Sequence, residues 1–259
     1  MVNKIYRLSI IVPCYNEGEK IINAYKKLVQ AISKQFPKDF VEIIFVNDGS
    51  NDNTKKILKT NLLDLHKKNK KGTYYPTLNY INSYPNHGKG YAVKQGFLKA
   101  KGKTVLYCDT DMSTDLKDLI TAVNLVEKGN TIAFGSRTLP NSDLPEEKKN
   151  GRKLMSIVSQ KLSSLVFGWE QMDTQCGFKA LEKNFAKKVA CVQVVNRFAF
   201  DLEYLYAAKL GKFEIVSFPV RWIDDKDSRV HPIKDSIKFI KDIVVIKNNK
   251  KNLKKVLEI

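Results

Sequence analysis

Thr104-Val105-Leu106-Tyr107-Cys108-Asp109-Thr110-Asp111 is an apolar run of β-branched and aromatic residues that stops at two carboxylates one residue apart. An apolar run of this kind reads as a strand buried on both faces of a parallel sheet. Open α/β sheets bind ligands in the crevice beyond the carboxyl ends of their strands, so this strand delivers oxygen ligands to that edge. Two carboxylates so close repel each other unless a cation or a partner neutralises them. Mg²⁺ and Mn²⁺ are hard ions that take oxygen ligands and share them with substrate phosphates. Asp is also common in solvated turns after strands, and the pair alone leaves both readings open.

Upstream, Leu8–Pro13 reads as a first strand, followed by Cys14-Tyr15-Asn16-Glu17-Gly18 and a helical pattern over about 19–35. Val41–Val46 is a second strand that ends in Asn47-Asp48-Gly49-Ser50, with Asp52 or Asn53 placed to cap a helix over roughly 54–69. A third strand is expected around 77–82, and His87-Gly88-Lys89-Gly90 precedes a helix over about 91–100. The fourth strand covers 103–108, a helix spans about 115–128, and Thr131–Gly135 is a fifth strand. This alternation predicts an α/β fold with a doubly wound, mostly parallel sheet of Rossmann-like type.

After Arg137 the texture changes to a polar loop over 138–152. Leu154, Val158, Leu162, Leu165 and Trp169 then recur at helical spacing over 153–169, a stripe that suits either the core or an interface helix. Residues 234–255 carry eight Lys against two Asp, interleaved with Ile237, Phe239, Ile240, Ile243, Val244 and Ile246. The expected organisation is a catalytic domain over 1–233 and a basic amphipathic helix or tail over 234–259, without a clean linker.

With 259 residues, 43% of them hydrophobic, the chain is long enough to bury the core of one large α/β domain. The formal charge of +18 bears on partners rather than fold: nucleic acid, an anionic membrane surface or phosphate-rich substrates. No nucleic-acid-binding module accompanies it, so nucleic acid is not expected as a partner. Met1–Arg7 runs directly into the first strand and is read as carrying no signal peptide. No stretch approaches the ~18 uninterrupted apolar residues of a spanning helix. Cys14, Cys108, Cys176 and Cys191 are widely spaced, which suits reduced thiols in the cytoplasm better than disulfides or zinc.

Three strand ends bring polar residues to one edge of such a sheet: Tyr15 and Glu17, then Asp48 beside Gly49, then Asp109 and Asp111. An aromatic ring, a carboxylate able to accept from a base or ribose, and a metal-binding pair describe a nucleotide-diphosphate pocket. Neither a P-loop nor a Gly-x-Gly-x-x-Gly turn after the first strand is present, which excludes those two nucleotide-binding designs.

Ile10-Ile11-Val12-Pro13-Cys14-Tyr15-Asn16-Glu17, Val46-Asn47-Asp48-Gly49-Ser50, Asn86-His87-Gly88-Lys89-Gly90 and Asp109-Thr110-Asp111 occur in the order seen in family 2 glycosyltransferases of the GT-A fold, which the chain resembles. Gly135-Ser136-Arg137, Asp173-Thr174-Gln175-Cys176-Gly177-Phe178-Lys179 and Phe200-Asp201-Leu202-Glu203 resemble its polyprenyl-phosphate branch of dolichyl-phosphate glucosyltransferases and mannose synthases. Pro219-Val220-Arg221-Trp222 and Asp227-Ser228-Arg229-Val230 are most similar to the dolichyl-phosphate β-glucosyltransferases. The likeness covers roughly 7–247, without the family's anchoring transmembrane segments.

The resemblance implies an inverting hexosyltransferase that uses Mg²⁺ or Mn²⁺, a nucleotide-sugar donor and a lipid-phosphate acceptor. It places Pro13, Tyr15, Glu17 and Asp48 at the nucleoside, Lys89 near the nucleotide, and Asp109 and Asp111 at the sugar diphosphate and its metal. Arg137 matches a residue facing the acceptor phosphate. Ser113 stands where mannose synthases commonly carry Gln, which favours glucose from UDP-glucose over mannose from GDP-mannose. The alternatives are that mannose transfer and the extension of a soluble or cell-surface glycan.

Each site has a plainer structural reading: a turn stabilised by Asp48, a turn capped by Asp173, or a network in which Asp201 and Glu203 pair with Arg197. A lipid monophosphate is already anionic near neutral pH and needs no strong base, so Arg137 and a second cation would position it. A hydroxyl acceptor needs a carboxylate to take its proton, and Asp173 and Asp201 are then the candidates. The striped segment at 153–169 and the basic tail suggest peripheral docking at the cytoplasmic face of a membrane.

Overall fold

The computed structural model describes residues 5–37, 40–69, 75–145, 166–169, 172–223 and 232–259. Its strands are β1 (Tyr6–Cys14), β2 (Phe40–Asp48), β3 (Thr77–Ser83), β4 (Thr104–Cys108), β5 (Ile132–Ser136), β6 (Phe178–Glu182) and β7 (Ile215–Pro219). They form one sheet in the order β3-β2-β1-β4-β6-β5-β7. β1 to β4 run parallel, and β7 is parallel to β5. β6 enters antiparallel between β4 and β5, an insertion that the alternation of elements in the sequence does not reveal.

The continuous apolar character of β4 follows from burial on both faces. Val105 and Tyr107 join one core cluster with Phe97, Phe200 and Tyr204, while Leu106 and Cys108 join the other with Tyr25, Leu28, Leu119 and Val123. Helices α1 (Lys20–Gln35) and α5 (Leu119–Glu127) cover the second face. Helices α4 (Lys89–Lys99), α6 (Lys183–Val192) and α7 (Phe200–Leu210) cover the first. Gly96 lets α4 lie against the sheet, since a Cβ there would stand 2.4 Å from Ile11 Cγ2.

Two expected helices are broken. The segment expected as one helix over 54–69 is α2 (Thr54–Lys59) and α3 (Asn61–Asn69), separated at Thr60, whose hydroxyl donates to the Lys56 carbonyl. Asn53 takes the N-cap position of α2, but Asp52 Oδ1 accepts from the Thr54 amide.

The C-terminal segment is α8 (Pro232–Asn248) and α9 (Lys250–Leu257), interrupted at Asn249. Phe239, Ile243 and Ile246 of α8 and Leu253 and Leu257 of α9 are buried in the same cluster as α6 and α7. At roughly 1.5–3 kcal/mol for each buried large side chain, this face is a substantial part of the core. Most of the striped segment at 153–169 lies outside the described residues, but Phe167 and Trp169 are stacked and buried in the core. Among the described residues, no helix is long and apolar enough to cross a membrane.

Candidate active site

Thr110, between the two aspartates, turns its hydroxyl back to donate to the Pro13 carbonyl at 2.8 Å, which ties the end of β4 to the end of β1. Met112, in the left-handed region at φ 54°, closes the turn and donates its amide to the Asp109 carbonyl. The Ser113 amide donates to Asp111 Oδ1 at 2.9 Å. Lys89, the first residue of α4, places Nζ 2.5 Å from Asp109 Oδ1. Burial works against the Lys89 charge, but Asp109, Asp201 and Asp111 outweigh it and hold the ammonium pKa above its ordinary value. Desolvation and then the neighbouring Asp109 carboxylate push the Asp111 carboxyl above the usual range.

That like-charge strain is what a divalent cation relieves, and two hard carboxylates at the ligand-binding edge suit Mg²⁺ or Mn²⁺. Among the described residues no group of three or more His, Cys, Asp or Glu gathers to hold a metal ion, so a cation on this pair would need further ligands from water or donor phosphates. Gly177 packs closely against Asp109: a Cβ there would lie 2.1 Å from Asp109 Oδ2.

Tyr15 and Glu17 follow β1 on a loop, both half-buried. Asn16, left-handed at φ 53°, accepts from the Asn51 amide, and Thr54 Oγ1 accepts from the amides of Glu17 and Gly18. The first strand's loop is thereby bound to the second's. Asp48 is buried, and its carboxylate accepts from the Asn86 side chain at 2.8 Å and from the amides of His87 and Gly88. It thus shapes the turn that leads into Lys89. Gly49, at φ 70°, is required because a Cβ would stand 2.5 Å from the Asn86 nitrogen. His87 stacks on Tyr91, with centroids 4.2 Å apart.

Arg137, just past β5, grips Asp173 with Nε and Nη2, both at 2.7 Å, and its amide adds a third bond at 2.9 Å. Burial alone would raise the Asp173 carboxyl, but Arg137 outweighs it and holds the carboxyl below the usual range. The guanidinium also lies 5.2 Å from the Trp222 ring centroid. Residues 221–223 pair with 113–115, immediately beyond Asp111, so Trp222 borders the same site.

Asp201 and Glu203 do not pair with Arg197. Asp201 Oδ2 accepts from Lys179 at 2.8 Å, while Glu203 accepts from the amides of Val194 and Val195 and from Asn249. The buried Lys179 ammonium also donates to Tyr107 Oη and to the carbonyls of Thr174 and Cys176. It therefore fixes the loop that carries both Asp173 and Gly177. Lys179, Gly177 and Trp222 lie in the quoted motifs, but only the folded contacts assign them a place. All four cysteines are free.

This fold and this edge, with an acidic pair, a lysine and a buried arginine fork, define a GT-A glycosyltransferase. The chain belongs to glycosyl transferase family 2, whose sequence profile matches residues 9–190. It is 31% identical over 254 residues to a dolichyl-phosphate β-glucosyltransferase of Dictyostelium discoideum, covering 95% of this chain and 75% of the relative. The human protein of the same description is 28% identical over 93% of this chain and 75% of its own length.

Among solved structures, glucosyl-3-phosphoglycerate synthase from Mycobacterium tuberculosis, in complex with Mn²⁺, UDP and glucosyl-3-phosphoglycerate, superposes with a TM-score of 0.60. Identity there is 13%, over 93% of this chain and 78% of that one. A mannosyltransferase from Pyrobaculum calidifontis, with GDP-mannose and Mn²⁺, gives a TM-score of 0.55 at 16% identity, over 97% and 73%. At such identities these structures share the fold.

Proposed function

We propose that this chain transfers glucose, with inversion, from UDP-glucose to a dolichyl or polyprenyl phosphate in a reaction dependent on Mg²⁺ or Mn²⁺. The observation that carries the choice of acceptor is the state of the two candidate bases. Both oxygens of Asp173 are held by Arg137, and Asp201 is buried against Lys179. The Asp173 carboxylate, held below its ordinary pKa, is a poor proton acceptor, and Asp201 is buried in an ion pair with Lys179, so neither offers a hydroxyl nucleophile an accessible base. An anionic lipid phosphate needs none, and Arg137 serves to position it. The donor sugar rests on the glucosyltransferase relatives.

Asp111 and Asp109 would hold the cation, which when bound offsets charge growing on the leaving diphosphate. Lys89 keeps Asp109 aligned and adds positive charge beside that group. Tyr15, Glu17 and Pro13 form the nucleoside side, and Asp48 acts through the turn it braces. Association with the cytoplasmic face of a membrane is peripheral. It is supported by α8, which exposes Ile240, Val244 and Val245 among exposed Lys238, Lys241 and Lys247.

The test supplies the full chain with dolichyl phosphate, Mn²⁺ and UDP-glucose labelled in the sugar, and counts label extracted into organic solvent. Label in the organic phase, abolished by EDTA, is expected. Lipid label from GDP-mannose alone would replace glucose by mannose. Label appearing only on a water-soluble glycan would overturn the lipid acceptor.

A further inference from the structure

We propose that Glu203 and Asn249 are positioning residues, a brace through which the C-terminal helices hold Lys89 against Asp109. The brace builds on the donor-site assignment of Lys89 and Asp109 made above. Asn249, at the break between α8 and α9, is buried and donates through Nδ2 to Glu203 Oε1 at 2.7 Å and to the Val192 carbonyl at 2.8 Å. Glu203, fully buried on α7, accepts the amides of Val194 and Val195, each at 3.1 Å. These bonds fix the segment 193–197, which crosses the first turn of α4.

There the contact is close. The Tyr91 amide donates to the Asn196 carbonyl at 3.1 Å, and Gln193 Nε2 donates to the Gly90 carbonyl at 3.0 Å. Tyr204 and Lys94 donate to Gln193 and lock it. A Cβ at Gly88 would stand 2.4 Å from the Asn196 carbonyl oxygen, and one at Gly90 would stand 2.8 Å from that of Val195. Lys89 lies between these two glycines, and its Nζ reaches Asp109. A buried carboxylate and a buried amide are unfavourable in a core unless fully bonded, and here their bonds converge on residues 192–195, the segment that packs on the turn bearing Lys89. The basic C-terminal segment is in this account part of the machinery that aligns the donor site.

The test compares Asn249→Ala and Glu203→Gln with Leu253→Ala, which removes a buried α9 side chain outside the brace, all in the full chain. Hydrogen exchange, well below the melting temperature, is expected to quicken about tenfold or more across 88–92 in the two brace variants. Leu253→Ala is expected to leave exchange there unchanged even if it melts lower. UDP affinity with Mn²⁺ should fall about tenfold in Asn249→Ala, yet show little further loss when that change is added to Lys89→Met.

Unchanged exchange at 88–92 in both brace variants, or an equal rise in Leu253→Ala, overturns the brace. Additive loss of affinity with Lys89→Met also overturns it. A wild-type chain that fails to bind UDP overturns the donor assignment instead, and exchange alone then decides the brace.

Discussion

Gly177→Ala isolates the position of one carboxylate from the stability of the fold. Gly177 does not have a positive φ, so alanine introduces no backbone strain. Its Cβ would lie 2.1 Å from Asp109 Oδ2 and 2.8 Å from Cγ. To regain an ordinary contact near 3.4 Å the carboxylate must retreat by roughly 1.3 Å. Asp109 is the free end of a side chain, so it yields more readily than β6. The retreat would separate it from Lys89 and from the cation site proposed for it and Asp111.

A displacement of about 1 Å in a reacting constellation lowers rate by about 10²-fold, equivalent to about 2.7 kcal/mol. Initial rates with saturating UDP-glucose and Mn²⁺ measure this, alongside melting by circular dichroism and UDP binding by calorimetry. The expected result is a rate loss of that order with a nearly unchanged melting temperature. A rate within threefold of wild type, or a loss matched by unfolding, would show that Gly177 does not set the position of Asp109.

Asp111→Asn keeps the shape but removes the cation's charge partner, so turnover should fall at least ~10²-fold; full activity of this variant, or of wild type in EDTA, contradicts the metal assignment. Asp173→Asn leaves Arg137 buried without its counter-charge and should cost about 3 kcal/mol in denaturant unfolding. Because Asp173 titrates below its ordinary value when folded, its stabilisation is complete above about pH 4 and is lost as pH falls below that. The acid limb of the wild-type stability curve should therefore be steeper than that of Asp173→Asn. Asp48→Ala leaves the Asn86, His87 and Gly88 donors without their acceptor and should lower stability by about 1–3 kcal/mol, with weaker UDP binding by calorimetry.

The strand ending at Asp109 and Asp111 was legible because burial on both faces leaves a continuous apolar run, and carboxylates are conspicuous where such a run stops. Asp48 was legible as a site position, but its partners were not, since Asn86, His87 and Gly88 meet it only when β2 and α4 share an edge. The same limit applies to Lys179, whose bonds reach Thr174, Cys176, Tyr107 and Asp201 on separate elements. Arg197 lies nearer to Asp201 in sequence, and local spacing suggested it; the fold instead brings the buried Lys179 from β6 to Asp201. The mixed strand-and-helix texture of the segment up to about 223 fits β6, but its five residues carry too little pattern to show an antiparallel insertion. The break at Asn249 was hidden for another reason: the interruption is set by the bonds its side chain makes to Glu203 and Val192, while the helical periodicity continues through it.

A lipid-phosphate nucleophile needs no protein base, whereas the corresponding alcohol does. One measurement tests this directly: label transfer from UDP-glucose, with Mn²⁺, to a polyprenyl monophosphate and to the corresponding polyprenol of the same chain length. Organic-soluble glucose label is expected from the phosphate, and none above background from the alcohol. Comparable transfer to the polyprenol would contradict the phosphate acceptor, because it would require a general base that neither Asp173 nor Asp201 is placed to supply.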